Sequence, residues 1–258
     1  VNNQRTLAAP KLKGLCPGCK QPVTARCGDH RAWHWAHISK KECDSWWEET
    51  EWHRVWKAKF PVEWQEIILV DAQTGEKHIA DVRNSHGLVL EFQHSPLDPQ
   101  ERAAREAFYK NMVWVVDVGH RKNDYKRFAK SFPQFRKVQD GAFLVVFPDE
   151  CFPETWLQSA KPVFFDFKSI DPLETEARPG SELLWCLLPG RTEGFAVVVA
   201  MSRESIVEEA TINSDLVDVL QRGHVIAGNF LYLSRSRTRG RLPRSPQGNY
   251  GPSRRRRF

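Results

Sequence analysis

The sequence predicts an α/β protein: a mixed sheet flanked by helices, preceded by a small Cys/His-rich module and followed by a β-rich C-terminal portion. Three observations predict it. Four of the six cysteines fall within the first 43 residues, in a stretch too poor in apolar residues to build a core of its own. Between Val62 and Ser95 the chain shows three short β runs, VEWQEIILV, KHIADVRN and LVLEFQHS, separated by turn residues. A helical pattern and an unbroken apolar run, MVWVVDV, come next, in the order of a strand, helix, strand crossover that calls for parallel pairing.

Taken in order, the chain divides into a module over 14–44, a main domain over 45–148, a C-terminal α+β portion over 149–233 and a tail over 234–258. A chain of 258 residues with 41% hydrophobic content can bury one sizeable core beside such a module. Residues 1–13 read as an unstructured lead. SWWEETEWHRVWKAKF has apolar positions at helical spacing, with Asp44 or Ser45 as its cap and an end near Pro61. The three β runs form a meander. PLDPQERAAREAFYKN reads as a helix capped by Asp98 with Pro99 at its first position. Farther on, RKNDYKRFAKSF and SRESIVEEATI read as helices, and GAFLVVFP, KPVFFDFKS, ELLWCLLPG and GFAVVVAMS as strands. From Ser234 the composition is Arg, Ser, Gly and Pro, which predicts disorder.

The net charge is +6, but nine arginines and no acidic residue lie from Arg235 onward, so subtracting them leaves the rest near −3. Basic character therefore belongs to the tail, and the pI says nothing about the folded body. No apolar run approaches the roughly 18 residues needed to cross a bilayer, and the N-terminus VNNQRTLAAPKLKG does not read as a secretory signal. A soluble, cytoplasmic protein with no membrane partner is the expectation. Cys151 and Cys186, set in PDECFP and LLWCLL, read as buried, inert thiols.

Two constellations carry chemistry. CPGC, with Cys16 and Cys19, is followed by HWAH, with His34 and His37; two thiolates and two imidazoles can close a tetrahedral structural zinc site. Cys27, His30 and Cys43 are spare candidates, and a redox CxxC is the rival, although that motif normally opens a helix after a strand. The second is HIADVRNSHGLVLEFQHS, where Asp81 is followed ten positions later by Glu91 and Gln93. Residues two apart share a strand face, and an Asp and a Glu converging there suit Mg²⁺ or Mn²⁺ and a hydrolytic attack on phosphate. As a pattern, D…ExQ is weak; what raises it is that ADV and VLEF place the acids inside apolar strands, where an uncompensated charge is costly. In the nuclease pattern the third position is usually Lys, and Gln can only position water or phosphate by hydrogen bonds. Upstream, Glu49, His53 and Lys57 fall on one helix face beside Trp56; such a face can offer a metal ligand, a proton-transfer group and a phosphate contact together, although taken alone it reads more readily as an ordinary solvated face with ion pairs.

In this order the motifs resemble the competence protein CoiA family of nuclease-like proteins. HWAH is similar to its His-Phe-Ala-His, EFQHS to its Glu-x-Gln-x-Ser, and KPVFFDFKS, Leu183–Trp185 and VVVAMSRESIVEE to its C-terminal part, so the resemblance spans Leu15 to Ala210. It implies a zinc-ribbon-like N-terminus and a restriction-endonuclease-like domain of PD-(D/E)xK type. It implies structural zinc on Cys16, Cys19, His34 and His37, and a catalytic centre of Asp81, Glu91 and Gln93 that uses Mg²⁺ or Mn²⁺. Glu49 and His53 match the helix before that centre, while His78 stands where the family often has Arg. The implied activity is a metal-dependent endo- or exodeoxyribonuclease acting in competence, recombination or phage defence, alone or with a partner subunit. Lys57 and Arg254, Arg255, Arg256 and Arg257 are the expected DNA contacts. The rival is a non-catalytic nucleic-acid-binding adaptor, favoured by the missing lysine.

Overall fold

The computed structural model describes residues 6, 8–16, 20–28, 33–39, 50–72, 74–139, 141–168, 178–212 and 216–239, the side chain of Lys122 and those beyond 236 excepted. Two sheets organise them. The small one is antiparallel, β1 (Lys13–Leu15), β2 (Pro22–Arg26) and β3 (His34–His37), with β2 in the middle.

The large sheet has nine strands: β4 (Gln65–Val70), β5 (Lys77–Arg83), β6 (Val89–Gln93), β7 (Met112–Asp117), β8 (Arg136–Gln139), β9 (Ala142–Val145), β10 (Val163–Asp166), β11 (Leu184–Leu187) and β12 (Ala196–Met201). Their spatial order is β4-β5-β6-β7-β10-β11-β12-β9-β8. The expected meander is present, antiparallel from β4 to β6, and β6, β7 and β10 run parallel. One sheet thus takes strands from both sides of residue 148.

Helices cover both faces, which is why β7, β10 and β11 are buried at every position and read as unbroken apolar runs. One face packs α1 (Glu51–Lys57), α4 (Arg203–Ile212) and α5 (Leu216–Arg239) through Trp52, Trp56, Ile206, Leu220 and Leu231. The other holds Phe128 of α3 (Lys122–Ser131), Tyr109 at the end of α2 (Pro99–Phe108), and Phe152 and Trp156. Gly223 lets α5 lie close on the sheet, since a Cβ there would stand 2.9 Å from Leu188 Cδ1.

Two boundaries differ from expectation. The cap of α1 is Thr50 rather than Asp44 or Ser45: its side chain accepts from the His53 N–H, satisfying a first-turn donor. Asp44 and Ser45 lie outside the described residues. At the other end, α5 continues through Arg239, past Ser234, because Leu231 is still buried and the Ser234 and Ser236 hydroxyls bond back to the Phe230 and Tyr232 carbonyls. Asp98 caps α2 as expected, accepting from the Gln100 and Glu101 N–H groups, with Pro99 at the first position. No helix among the described residues is long and apolar enough to cross a membrane.

Candidate active site

The meander positions the acids. β5 and β6 pair at Val82↔Leu90 and Arg83↔Val89, and beyond that the two strands part. In the fork the Asp81 carboxylate takes the place of a strand carbonyl, its Oδ2 accepting the Phe92 N–H at 2.8 Å. The Phe92 carbonyl is taken by His53 of α1, whose Nε2 lies 2.7 Å away. A carbonyl can only accept, so Nε2 carries a proton, and Thr50 Oγ1 lies 2.9 Å from Nδ1. One peptide segment of β6 is thereby held by Asp81 on one atom and His53 on the other.

Glu91 is buried on the next strand and is gripped from α2, where Arg105 Nη1 donates to its Oε2 at 3.2 Å. Arg105 also pairs with Glu101 at 3.2 Å. Lys57, almost wholly buried, reaches Glu66 Oε1 at 2.9 Å. Glu66 stands between the register pairs Gln65↔Val82 and Ile67↔Ala80, hence opposite Asp81, with a φ of +50°. A left-handed backbone at a non-glycine residue costs of order 1–3 kcal/mol and persists only where its surroundings hold it.

Burial pushes the Asp81 carboxyl above its ordinary range, against the opposing pull of the His53 and Lys57 charges, the Phe92 N–H and Arg105. The region therefore offers two carboxylates on adjacent strands with Lys57 and Arg105 within electrostatic reach. Gln93 turns away from them: its amide donates to the Ser95 carbonyl at 2.7 Å. Glu49, which precedes the Thr50 cap, lies outside the described residues, as do Arg254, Arg255, Arg256 and Arg257.

In the small sheet Cys16 is buried and opens a tight turn, its N–H donating to the Gln21 carbonyl at 2.9 Å and its carbonyl accepting from Lys20 at 2.8 Å. That closure fits a metal knuckle, although Cys19, His30 and Cys43 lie outside the described residues. His34 and His37 begin and end β3, opposite Arg26 and Val23. Three residues apart on a strand, they are aimed to opposite sides by the pleat. Cys27 is half-buried just past β2.

Residues 2–45 match the model of the competence protein CoiA, N-terminal domain. The match supports a CoiA-like family and stops before α1, so it does not reach the fork of β5 and β6. No curated protein and no solved structure matches the chain.

Three acids within apolar strands escaped the sequence reading. Asp166 in FFDF and Asp117 in VVDV carry the same signal that singled out Asp81 and Glu91, an acid inside an apolar run, and both are buried. Glu66 sits in a run, QEIILV, where nothing marks it, because its distinction is conformational. His94 occupies the variable position of EFQHS, where the motif gives it no mark; its Nδ1 lies 2.7 Å from Asp117 Oδ2.

Proposed function

We propose that this chain is a metal-dependent DNA nuclease of the PD-(D/E)xK type that hydrolyses phosphodiester bonds, with Asp81 and Glu91 as its centre, in a CoiA-like setting of competence, recombination or defence against foreign DNA. The observation that carries the reading is the fork of β5 and β6. There, Asp81 and Glu91 stand on adjacent strands, Asp81 within electrostatic reach of His53 and buried Lys57 of α1 and Glu91 held by Arg105 of α2. The succession α1, β4, β5, β6, α2, β7, with an antiparallel meander and then a parallel crossover, supports a restriction-endonuclease-like core.

Two carboxylates without a sulfur donor form a hard oxygen set that fits Mg²⁺ or Mn²⁺, which would polarise a scissile phosphate. Arg105 orients Glu91, and the Phe92 N–H orients Asp81. Lys57 supplies the positive charge that the usual lysine gives and Gln93 cannot; its ion pair with Glu66 holds it in place. His53 fixes the β6 backbone between the two acids rather than acting on substrate.

For the N-terminal module the reading is one structural zinc on Cys16 and Cys19 with histidine, its ligand chemistry fitting thiolate and imidazole. Because β3 aims His34 and His37 apart, the remaining ligands are drawn from these two and from Cys27, His30 and Cys43, a choice that the zinc content of single variants resolves.

Two contacts favour the adaptor reading: Glu91 is already engaged by Arg105, and Gln93 is spent on a backbone carbonyl. Incubation with single-stranded, double-stranded and branched DNA, in Mg²⁺, Mn²⁺ or EDTA, separates the two. Divalent-dependent loss of at least one substrate is the expected result. DNA bound but intact in every condition would establish the adaptor instead, with the Arg-rich tail as its source of phosphate affinity.

A further inference from the structure

We propose that His94, Asp117 and His120 form a second cation site, one that takes a borderline first-row divalent ion of the zinc, cobalt or nickel class and is distinct from the Asp81–Glu91 pair. β6 and β7 run parallel and end side by side, so His94, just past β6, and Asp117, the last residue of β7, are brought together by register alone. His120 follows three residues later, in the turn leading to α3. The Gly119 N–H holds Asp117 Oδ1 at 2.9 Å, which leaves Oδ2 to face both rings. His94 Nδ1 stands 2.7 Å and His120 Nδ1 3.5 Å from that oxygen, and the three potential ligand atoms lie within 4.8 Å of one another.

One neutral or charged imidazole would satisfy Asp117 Oδ2 by a hydrogen bond. The second nitrogen is too far for a good one, yet it sits at the separation expected of two ligands that share an ion about 2.0–2.2 Å from each. The carboxylate is buried while both imidazoles are partly exposed, and a small cleft lined by Ser95, Arg121 and Thr155 opens beside them. A cation can therefore enter from solvent and keep open coordination positions. Two imidazoles with one carboxylate select zinc-like ions over Mg²⁺, whereas the all-oxygen pair at the fork has the opposite preference. The His94 ring lies 6.4 Å from that of His53, so the second ion would border the fork.

Arg121 opposes the ion. Its Nε donates to His120 Nε2 at 3.2 Å, which keeps the His120 proton on Nδ1, facing Asp117. A cation bound at Nδ1 moves that proton to Nε2, so Arg121 must turn away, towards the Asp124 carboxylate already 3.9 Å from its Nη1.

The test titrates the full chain, as purified, with Co²⁺ in excess Mg²⁺ and reads visible d–d absorption. A thiolate site in the N-terminal module would announce itself by sulfur-to-cobalt charge transfer in the near ultraviolet; the site proposed here has none. Losing a supporting partner of a metal ligand already weakens affinity about 10–100-fold, so His120→Ala and His94→Gln should weaken the thiolate-free site at least tenfold. Arg121→Ala should tighten it. Asp81→Asn should leave it unchanged, and because the readout is independent of cleavage, an inactive nuclease centre would not erase it. Thiolate-free cobalt binding of equal strength in wild type, His120→Ala and His94→Gln, or no such binding in the wild type, overturns the proposal. Weaker binding in Arg121→Ala does the same.

Discussion

Asp81 and Asp166 are both acids inside apolar strands of one sheet, and the chain treats them oppositely. Asp166 is saturated: the Trp52 and Trp56 indoles donate to Oδ2 at 3.3 and 3.2 Å, the Lys168 N–H donates to Oδ1 at 3.0 Å, and Arg203 pairs with both oxygens. It ties α1 and α4 to the end of β10. Asp81 takes one backbone N–H and, among the described residues, no ion pair within 4 Å; its positive neighbours act from farther away, and burial leaves its charged form under-compensated. A buried carboxylate that is fully paired is part of the scaffold. A half-buried one that is left short of partners is a site awaiting a charge, and such groups cluster where function is.

The sharpest way to break that comparison is to remove the charge of each acid in turn. Asp81→Asn or Glu91→Gln should reduce divalent-dependent cleavage by roughly 10³-fold or more, since each removes a ligand of an ion asked to supply several kcal/mol at the transition state. Rates on the preferred DNA substrate, beside melting curves that certify the fold, check this. Wild-type rates in the double variant would remove the centre from the fork.

Asp166→Ala should act on stability instead. It strands Arg203 and two buried indole N–H groups, and breaking a buried pair from one side costs about 3–5 kcal/mol. A fall in the denaturant midpoint of that size is expected; a change near zero would mean that Asp166 is no more structural than Asp81.

Within the fork, Lys57→Met should lower cleavage by roughly 10²-fold, the cost of removing one preorganised positive group. Gln93→Ala should cost less, since its amide faces Ser95 rather than the acids. The reverse order would return Gln93 to the catalytic position that its sequence motif implies.

Much of the layout was legible because periodicity and turn chemistry are local. The β runs KHIADVRN and LVLEFQHS set off by turn residues, the Asp98-Pro99 cap and the unbroken run MVWVVDV each specify an element by themselves. The order of the nine strands was not, because the return of β8 and β9 to the far edge beside β12 is decided by long-range pairing that leaves no local trace. The site was legible in part for the same reason. An acid in an apolar strand marked Asp81 and Glu91, but the same mark fits Asp117 and Asp166, and only the partners brought by other elements tell them apart. Glu66 and Arg105 enter through backbone conformation and helix docking, and His94 through the register of β6 on β7. None of these is a property of its own segment.

The smallest effect is also the most specific. Burial raises the Asp81 carboxyl above its unfolded value, so between the two values the folded chain holds the proton more tightly than the unfolded one. The stability linked to that proton is fully present below the unfolded carboxylate range, near ~3.9, and is lost as pH rises through the folded value. Asparagine has no such proton to lose. Asp81→Asn should therefore be more stable than wild type at neutral pH, with the difference closing as pH falls below about 4, where both side chains are neutral. Saturating Mg²⁺ should narrow the neutral-pH difference by stabilising the wild type alone, since a ligand that binds only the folded state adds to its stability. Denaturant midpoints from acidic to neutral pH, with and without Mg²⁺, supply the measurement. If Asp81→Asn is less stable than wild type at neutral pH, Asp81 is a scaffold acid like Asp166, and the distinction between the two carboxylates fails at its root.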